Sequence, residues 1–229
     1  MKTLITLLLT TAIVVSGYGQ KRTVDVNNFS ELALAVAGTV HLRQGSNEKV
    51  EIECDDDIFE EIEFEMRGDK LVIKREKSWG WGNGWRRSEV DIYVTMRKIE
   101  GLSVSGSGLI EGKEPLETED IDLSVSGSGD MELELNSDEM DLRISGSGSI
   151  RLDGSAEEAE AKISGSGKVK AEDLTVKVFA ARISGSGSCY ITATDEIDAS
   201  ISGSGSVYYA GDPKRINSNS SGSGKVRKM

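Results

Sequence analysis

Ser145-Gly146-Ser147-Gly148 returns nineteen residues later as Ser164-Gly165-Ser166-Gly167, and again as Ser184-Gly185-Ser186-Gly187. The same tetrapeptide begins at Ser105, Ser126, Ser202 and Ser221, so the steps along the chain are 21, 19, 19, 20, 18 and 19 residues. A period near twenty, repeated this often, makes each unit one turn of a stacked architecture and not a domain of its own.

The residues around the tetrapeptide fall into columns. Before it stand Ile121-Asp122-Leu123-Ser124-Val125, Met140-Asp141-Leu142-Arg143-Ile144, Ala159-Glu160-Ala161-Lys162-Ile163, Phe179-Ala180-Ala181-Arg182-Ile183 and Ile197-Asp198-Ala199-Ser200-Ile201. Strict alternation over five residues marks a half-buried strand. After it the apolar column resumes at Ile110, Met131, Ile150, Val169, Cys189, Val207 and Val226. Glycine tolerates positive φ and bulged geometry. Each tetrapeptide therefore reads as a corner where the strand bends and its in–out phase slips by one residue. No stretch holds a helical period, and each glycine would cost a helix about 1 kcal/mol relative to alanine.

A variable polar segment closes each turn, as in Asp153-Gly154-Ser155-Ala156-Glu157-Glu158. Stacked turns ~4.8 Å apart make a rod roughly 30 Å long. In the last turn, Ile216-Asn217-Ser218-Asn219-Ser220 puts serine at two inward positions, the polar terminal repeat that a solenoid uses as a cap. The expected class is all-β: a parallel β-solenoid of about 19–20 residues per turn with Ser-Gly-Ser-Gly corners.

Residues 101–229 carry the regular repeats; residues 24–100 are rich in strand patterns but irregular. Phe29, Leu32, Leu34 and Val36 lead through Ala37-Gly38-Thr39 to Val40 and Leu42, a decayed strand–corner–strand unit. Val50-Glu51-Ile52-Glu53-Cys54, Ile62-Glu63-Phe64-Glu65-Met66 and Leu71-Val72-Ile73 add further strands. The simplest expectation is that they form the first, larger turns of the same solenoid, giving one domain over residues 20–229.

Residues 1–19 differ in kind. Lys2 precedes an apolar core, Leu4-Ile5-Thr6-Leu7-Leu8-Leu9 and Ala12-Ile13-Val14-Val15, and small residues follow at Ser16-Gly17-Tyr18-Gly19. That order is a signal peptide, with cleavage expected after Gly19. An uncleaved anchor is the alternative, disfavoured because the run is short for a bilayer span. Without the segment, 39 acidic residues face 26 basic ones, a net charge of −13 that repels nucleic acid and anionic membrane. Cys54 and Cys189 both fall on inward positions and read as free, buried thiols.

Several groups suggest chemistry. Lys74-Arg75-Glu76-Lys77-Ser78-Trp79-Gly80-Trp81-Gly82-Asn83-Gly84-Trp85-Arg86-Arg87 holds all three tryptophans of the protein, and its Asn83-Gly84 is a hairpin-turn signal. Exposed, Trp79, Trp81 and Trp85 with Arg86 and Arg87 suit a glycan or a protein partner. Folded back, they would cover the first edge of the solenoid. A second candidate is the outward position that follows each resumed strand: Glu111, Glu132, Arg151, Lys170, Tyr190, Tyr208 and Arg227. Its basic and aromatic part, from Arg151 to Arg227, suits an acidic glycan or polypeptide, unless it is simply a solvated sheet face. The neighbouring Arg143, Lys162 and Arg182 sit beside Asp122, Asp141 and Glu160, a pattern of mutual charge pairing.

Metal and catalytic readings are weaker. The run Asp55-Asp56-Asp57 with Glu60, Glu61, Glu63 and Glu65 lacks the spacing of a calcium loop. His41 is the only histidine, so His and Cys make no zinc cluster. No cofactor is implied. The favoured function is an exported binding or structural module; the alternative is a carbohydrate-active enzyme on a β-helix scaffold, which would need paired carboxylates facing a groove.

Phe29-Ser30-Glu31-Leu32 with Ala37-Gly38, Leu71-Val72-Ile73, Val90-Asp91-Ile92-Tyr93-Val94 and the serial Ser-Gly-Ser-Gly corners resembles a bacterial family of exported proteins, the auto-transporter adhesin, head GIN domain family. The resemblance runs from about residue 25 to 226. It implies a right-handed β-solenoid delivered to the cell envelope and brings no catalytic residues with it. A translocator barrel is not expected here, which leaves the periplasm and the cell surface both open.

Overall fold

The computed structural model describes residues 21–75 and 89–229; the expected signal segment 1–19 and the residues Trp79, Trp81, Trp85, Arg86 and Arg87 lie outside them. The described chain is almost wholly β. Its first half comprises β1 (Arg22–Val24), β2 (Glu31–Ala35), β3 (Thr39–Gln44), β4 (Lys49–Glu53), the one-turn helix α1 (Asp56–Phe59), β5 (Ile62–Arg67), β6 (Lys70–Arg75) and β7 (Asp91–Met96). The repeats supply β8 (Gly101–Gly106), β9 (Leu109–Gly112), β10 (Leu116–Glu117), β11 (Asp120–Gly127), β12 (Asp130–Gly146) and β13 (Ser149–Gly165). They end with β14 (Lys168–Gly185), β15 (Ser188–Gly203), β16 (Ser206–Ala210), β17 (Arg215–Gly222) and β18 (Lys225–Lys228).

Through the repeats every pairing is parallel, so the protein is a β-solenoid with its turns stacked in register. Gly106, Gly127, Gly146, Gly165, Gly185, Gly203 and Gly222 lie directly above one another. All seven have positive φ, from 101° to 128°. At Gly165 an added Cβ would meet the Gly146 carbonyl oxygen at 2.6 Å, and that carbonyl accepts the Ser166 N–H at 2.8 Å. The second glycine answers a different need. At Gly167 a Cβ would lie 2.4 Å from Ile144 Cγ2, because the branched residue that ends each strand packs over the corner of the next turn.

The bend is where the repeats place it, but the phase slip is not. Ile144 and Ile150 are both fully or nearly buried and six residues apart, an even number, with buried Gly148 between them. Alternation therefore runs through the corner. Parity must change elsewhere, because the glycines stay in register while most turns have an odd length. In the 19-residue turn ending at Gly165 the slip falls between buried Ala156 and Ala159, leaving Glu157 and Glu158 both outside. The 20-residue turn to Gly185 slips twice, from Ala171 to Leu174 and from Val176 to Phe179. The 18-residue turn to Gly203 needs no slip: Cys189, Ile191, Ala193 and Ile197 are all separated by even numbers of residues. The variable polar segment is thus where each turn adjusts its length.

The first half also departs from simple succession. The β2–β3 pair, with Gly38 at its corner, stacks directly against β8 and β9, as the decayed unit suggests. The chain then moves outward, and β6 and β7 return as the next parallel layer beyond β2 and β3. Outermost, β5 runs antiparallel to β6, β4 antiparallel to β7 and β1 antiparallel to β4. Antiparallel strands close this end, whereas β17, exposed along its whole length, ends the stack with Ser218 and Ser220 in the core columns.

Candidate functional site

Strand alternation sends every second residue after the corner outward, and stacking in register turns these residues into files. The Cα pairing runs Glu111, Glu132, Arg151, Lys170, Tyr190, Tyr208, Arg227, one residue per turn. The structure thus brings together the outward residues that sequence alignment placed in one column. On the other side of Glu111 the file continues through His41, Tyr93 and Glu51. Tyr190 and Tyr208 stack with ring centroids 4.9 Å apart and planes 13° from parallel.

Two residues before this file, on the same face, runs a second: Asp130, Ser149, Lys168, Ser188, Ser206 and Lys225. Lys168 and Lys225 escape a reading that follows one column alone. The signal was there, since both stand two positions before a member of the first file. The face is divided by charge. Asp91, Glu111, Asp130 and Glu132 lie toward the antiparallel end, while Arg151, Lys168, Lys170, Lys225 and Arg227 lie toward the other.

At the acidic half His41 is clamped across turns. Its Nδ1 lies 2.6 Å from Glu111 Oε1 and its Nε2 2.7 Å from Asp91 Oδ1, and its ring stacks on Tyr93 at 4.8 Å. Lys113 and His41 hold the Glu111 carboxyl below its ordinary value against the opposing effect of burial. With both nitrogens engaged by carboxylates, His41 is not placed to activate a serine.

The face before the corner behaves differently. Arg143 bonds Asp122 and, at 3.0 Å, Asp141; Lys162 bonds Glu160 at 2.7 Å; Arg182 reaches Glu160. The hydrogen bond to Asp122 raises the Arg143 pKa. This is the charge pairing expected from sequence. Glu63 and Glu65 point outward from β5, and both engage Lys74. Among the described residues no group of His, Cys, Asp and Glu is arranged to hold a metal ion. The two cysteines are free and buried, and burial pushes the Cys189 thiol up to about 12.

An open groove of about 420 Å³ lies on neither face. It follows the variable segment past Asn136, Ser155, Thr175 and Thr194. The connection that carries the tryptophans leaves β6 at Arg75 and rejoins the sheet before β7. Lys74 and Asp91 are the register partners of Ala35 and Thr39, so the described ends of this connection flank the corner column.

A family model described as "putative auto-transporter adhesin, head GIN domain" matches residues 28–213. The chain belongs to that family. Solved structures share the fold. A "putative adhesin" from Bacteroides fragilis superposes with a TM-score of 0.87 at 24% identity, over 93% of this chain and 98% of that one. A "putative lipid binding protein" from Parabacteroides distasonis gives 0.73 at 22%, over 93% and 97%. A "putative adhesin" from the same organism gives 0.73 at 21%, over 92% and 96%. No curated protein matches this sequence. At these identities the structures speak for the fold alone. No described helix is long and apolar enough to cross a membrane.

Proposed function

We propose that this head GIN domain protein is an exported module of the cell envelope that binds a partner, glycan or protein, on an open sheet face and catalyses no reaction. In this reading residues 1–19 direct export and residues 20–229 act as one unit in the periplasm or at the surface. The observation that carries it is the file Arg151–Lys170–Tyr190–Tyr208–Arg227, aligned turn by turn with its two tyrosines stacked. A straight file of recognition groups suits an extended ligand lying along the rod, whereas an enzyme would need convergent groups around a reacting atom. The adhesin names borne by the relatives point the same way. Trp79, Trp81, Trp85, Arg86 and Arg87 form the second part of the proposal, as an aromatic and basic element in the connection between β6 and β7.

The test is binding of the mature protein to a panel of envelope glycans and surface proteins. It compares wild type with Tyr190→Ala/Tyr208→Ala and follows tryptophan emission under acrylamide quenching. Binding that is lost in the tyrosine variant is expected. Binding indifferent to it, or none across the panel, removes the face from the proposal. Because the three tryptophans are the only ones in the protein, emission that no ligand protects removes the tryptophan element by itself.

A further inference from the structure

Ion pairing sorts the basic residues of the repeats into two groups. Residues 101–229 contain thirteen Lys and Arg. Lys113, Lys177, Lys214, Arg215 and Lys228 each bond a carboxylate, as do Arg143, Lys162 and Arg182. The remaining five, Arg151, Lys168, Lys170, Lys225 and Arg227, form no ion pair among the described residues. All five lie on the face after the corner, in the two adjacent files.

In a protein of net charge −12 this segregation calls for an explanation. Acidic residues outnumber basic ones, so scattered bases would find carboxylates, as the other eight do. Across the five turns from β13 to β18 the two files contain Ser149, Ser188, Ser206, Tyr190 and Tyr208 besides the five bases, and no acid. Acids resume at the borders. Glu132 is the register neighbour of Arg151, Asp130 accepts hydrogen bonds from Ser149, and Asp153 follows Arg151 on the same strand. The result is a bounded strip of positive potential about 20 Å long, from the ~4.8 Å strand spacing.

We propose that this strip is the binding site for a linear acidic polysaccharide, a single chain lying along the stack from Arg151 to Arg227. The inference rests on the reading of this face as the recognition surface and names the class of its ligand. Unpaired bases on an open face keep their charge available for an anionic ligand, and such contacts release counterions. The two tyrosines at the middle of the strip, stacked 4.9 Å apart, favour sugar over polypeptide. Tyr190 and Tyr208 add flat apolar surface and phenol hydroxyls midway along the strip, where sugar rings and hydroxyls would lie.

The probe is polygalacturonate, with poly-glutamate and neutral dextran as comparisons, added to the mature chain at low and at physiological salt. Wild type is expected to bind polygalacturonate in a salt-dependent manner and to ignore dextran. Arg151→Gln/Lys170→Gln should weaken binding about tenfold or more, whereas the charge-matched Lys177→Gln/Lys214→Gln, drawn from paired bases, should change it less than about twofold. Three results overturn the proposal: no binding of polygalacturonate, equal loss in both double variants, or poly-glutamate bound as tightly. If polygalacturonate fails while another partner in the panel still depends on Tyr190 and Tyr208, the ligand class is wrong and the recognition face stands. If that dependence fails as well, both readings fall.

Discussion

Replacing Gly165 by alanine tests why the corners are built from glycine. Gly165 has φ +116°, and a Cβ there would stand 2.6 Å from the carbonyl oxygen of Gly146 in the turn beneath. Backbone strain of this kind costs roughly 1–3 kcal/mol. Overpacking against a backbone that cannot rotate away costs roughly 1–3 kcal/mol more. If the turns part, the bond from Ser166 N–H to Gly146 O, 2.8 Å long, is weakened, a further loss of about 1 kcal/mol. The total is roughly 3–7 kcal/mol. Gly106 supplies the control. It shares the positive φ, at +101°, but a Cβ there would meet nothing within 4 Å. Its alanine variant should pay the strain alone, roughly 1–3 kcal/mol. Guanidinium denaturation followed by circular dichroism would compare the two. Amide exchange at Ser166 would show whether the loss is local, because stacked repeats need not unfold in one step. Equal costs for Gly165→Ala and Gly106→Ala would refute close stacking as the reason for glycine.

Three more outcomes follow from the packing and the charges. Phe179 lies between Ala159 and Ile197 in one core column, so Phe179→Ala should cost about 3–5 kcal/mol in chemical denaturation; a loss under about 1 kcal/mol would mean that the turns close over the gap. Cys189, fully buried with its thiol pushed up to about 12, should ignore a thiol reagent at pH 8 until denaturant is added, and prompt reaction in the folded protein would contradict the burial. The Glu65 carboxyl is held down to about 2 by hydrogen bonds from Arg67 and Lys74. Its folded value lies below the unfolded one of 4.5, so its contribution is complete above that pH and fades as the pH falls toward 2. Thermal melts of Glu65→Gln should therefore show a deficit at pH 7 that closes between pH 4.5 and about 2, and a deficit unchanged at pH 2 would exclude a charge effect.

Much of the regular half was legible in the sequence. The glycine register, the alternation of Met140, Leu142 and Ile144, and the polar last turn all follow from contacts between neighbouring turns, which the repeats write into every unit. The paired file of Arg143, Lys162 and Arg182 was legible for the same reason, since its partners stand in the adjacent turn or two residues along the strand. Neither the expected signal segment nor the tryptophan run falls within the described residues.

Three things were decided only by the tertiary structure. The place of the phase slip was one: it depends on each turn's length in the variable segment, once Gly146 and Gly165 are held in register. The layering of the first half was another, because β2 and β3 reach β8 and β9 across long stretches of intervening chain, and no periodicity announces that return. The third was which bases remain without an acid. Arg151 and Arg143 are alike in a sequence and both sit beside acids in adjacent turns; only side-chain geometry leaves one without an ion pair among the described residues and joins the other to Asp122 and Asp141. Local chemistry repeated at a constant period determined the scaffold, and distance in three dimensions determined where on that scaffold charge remains available for a partner.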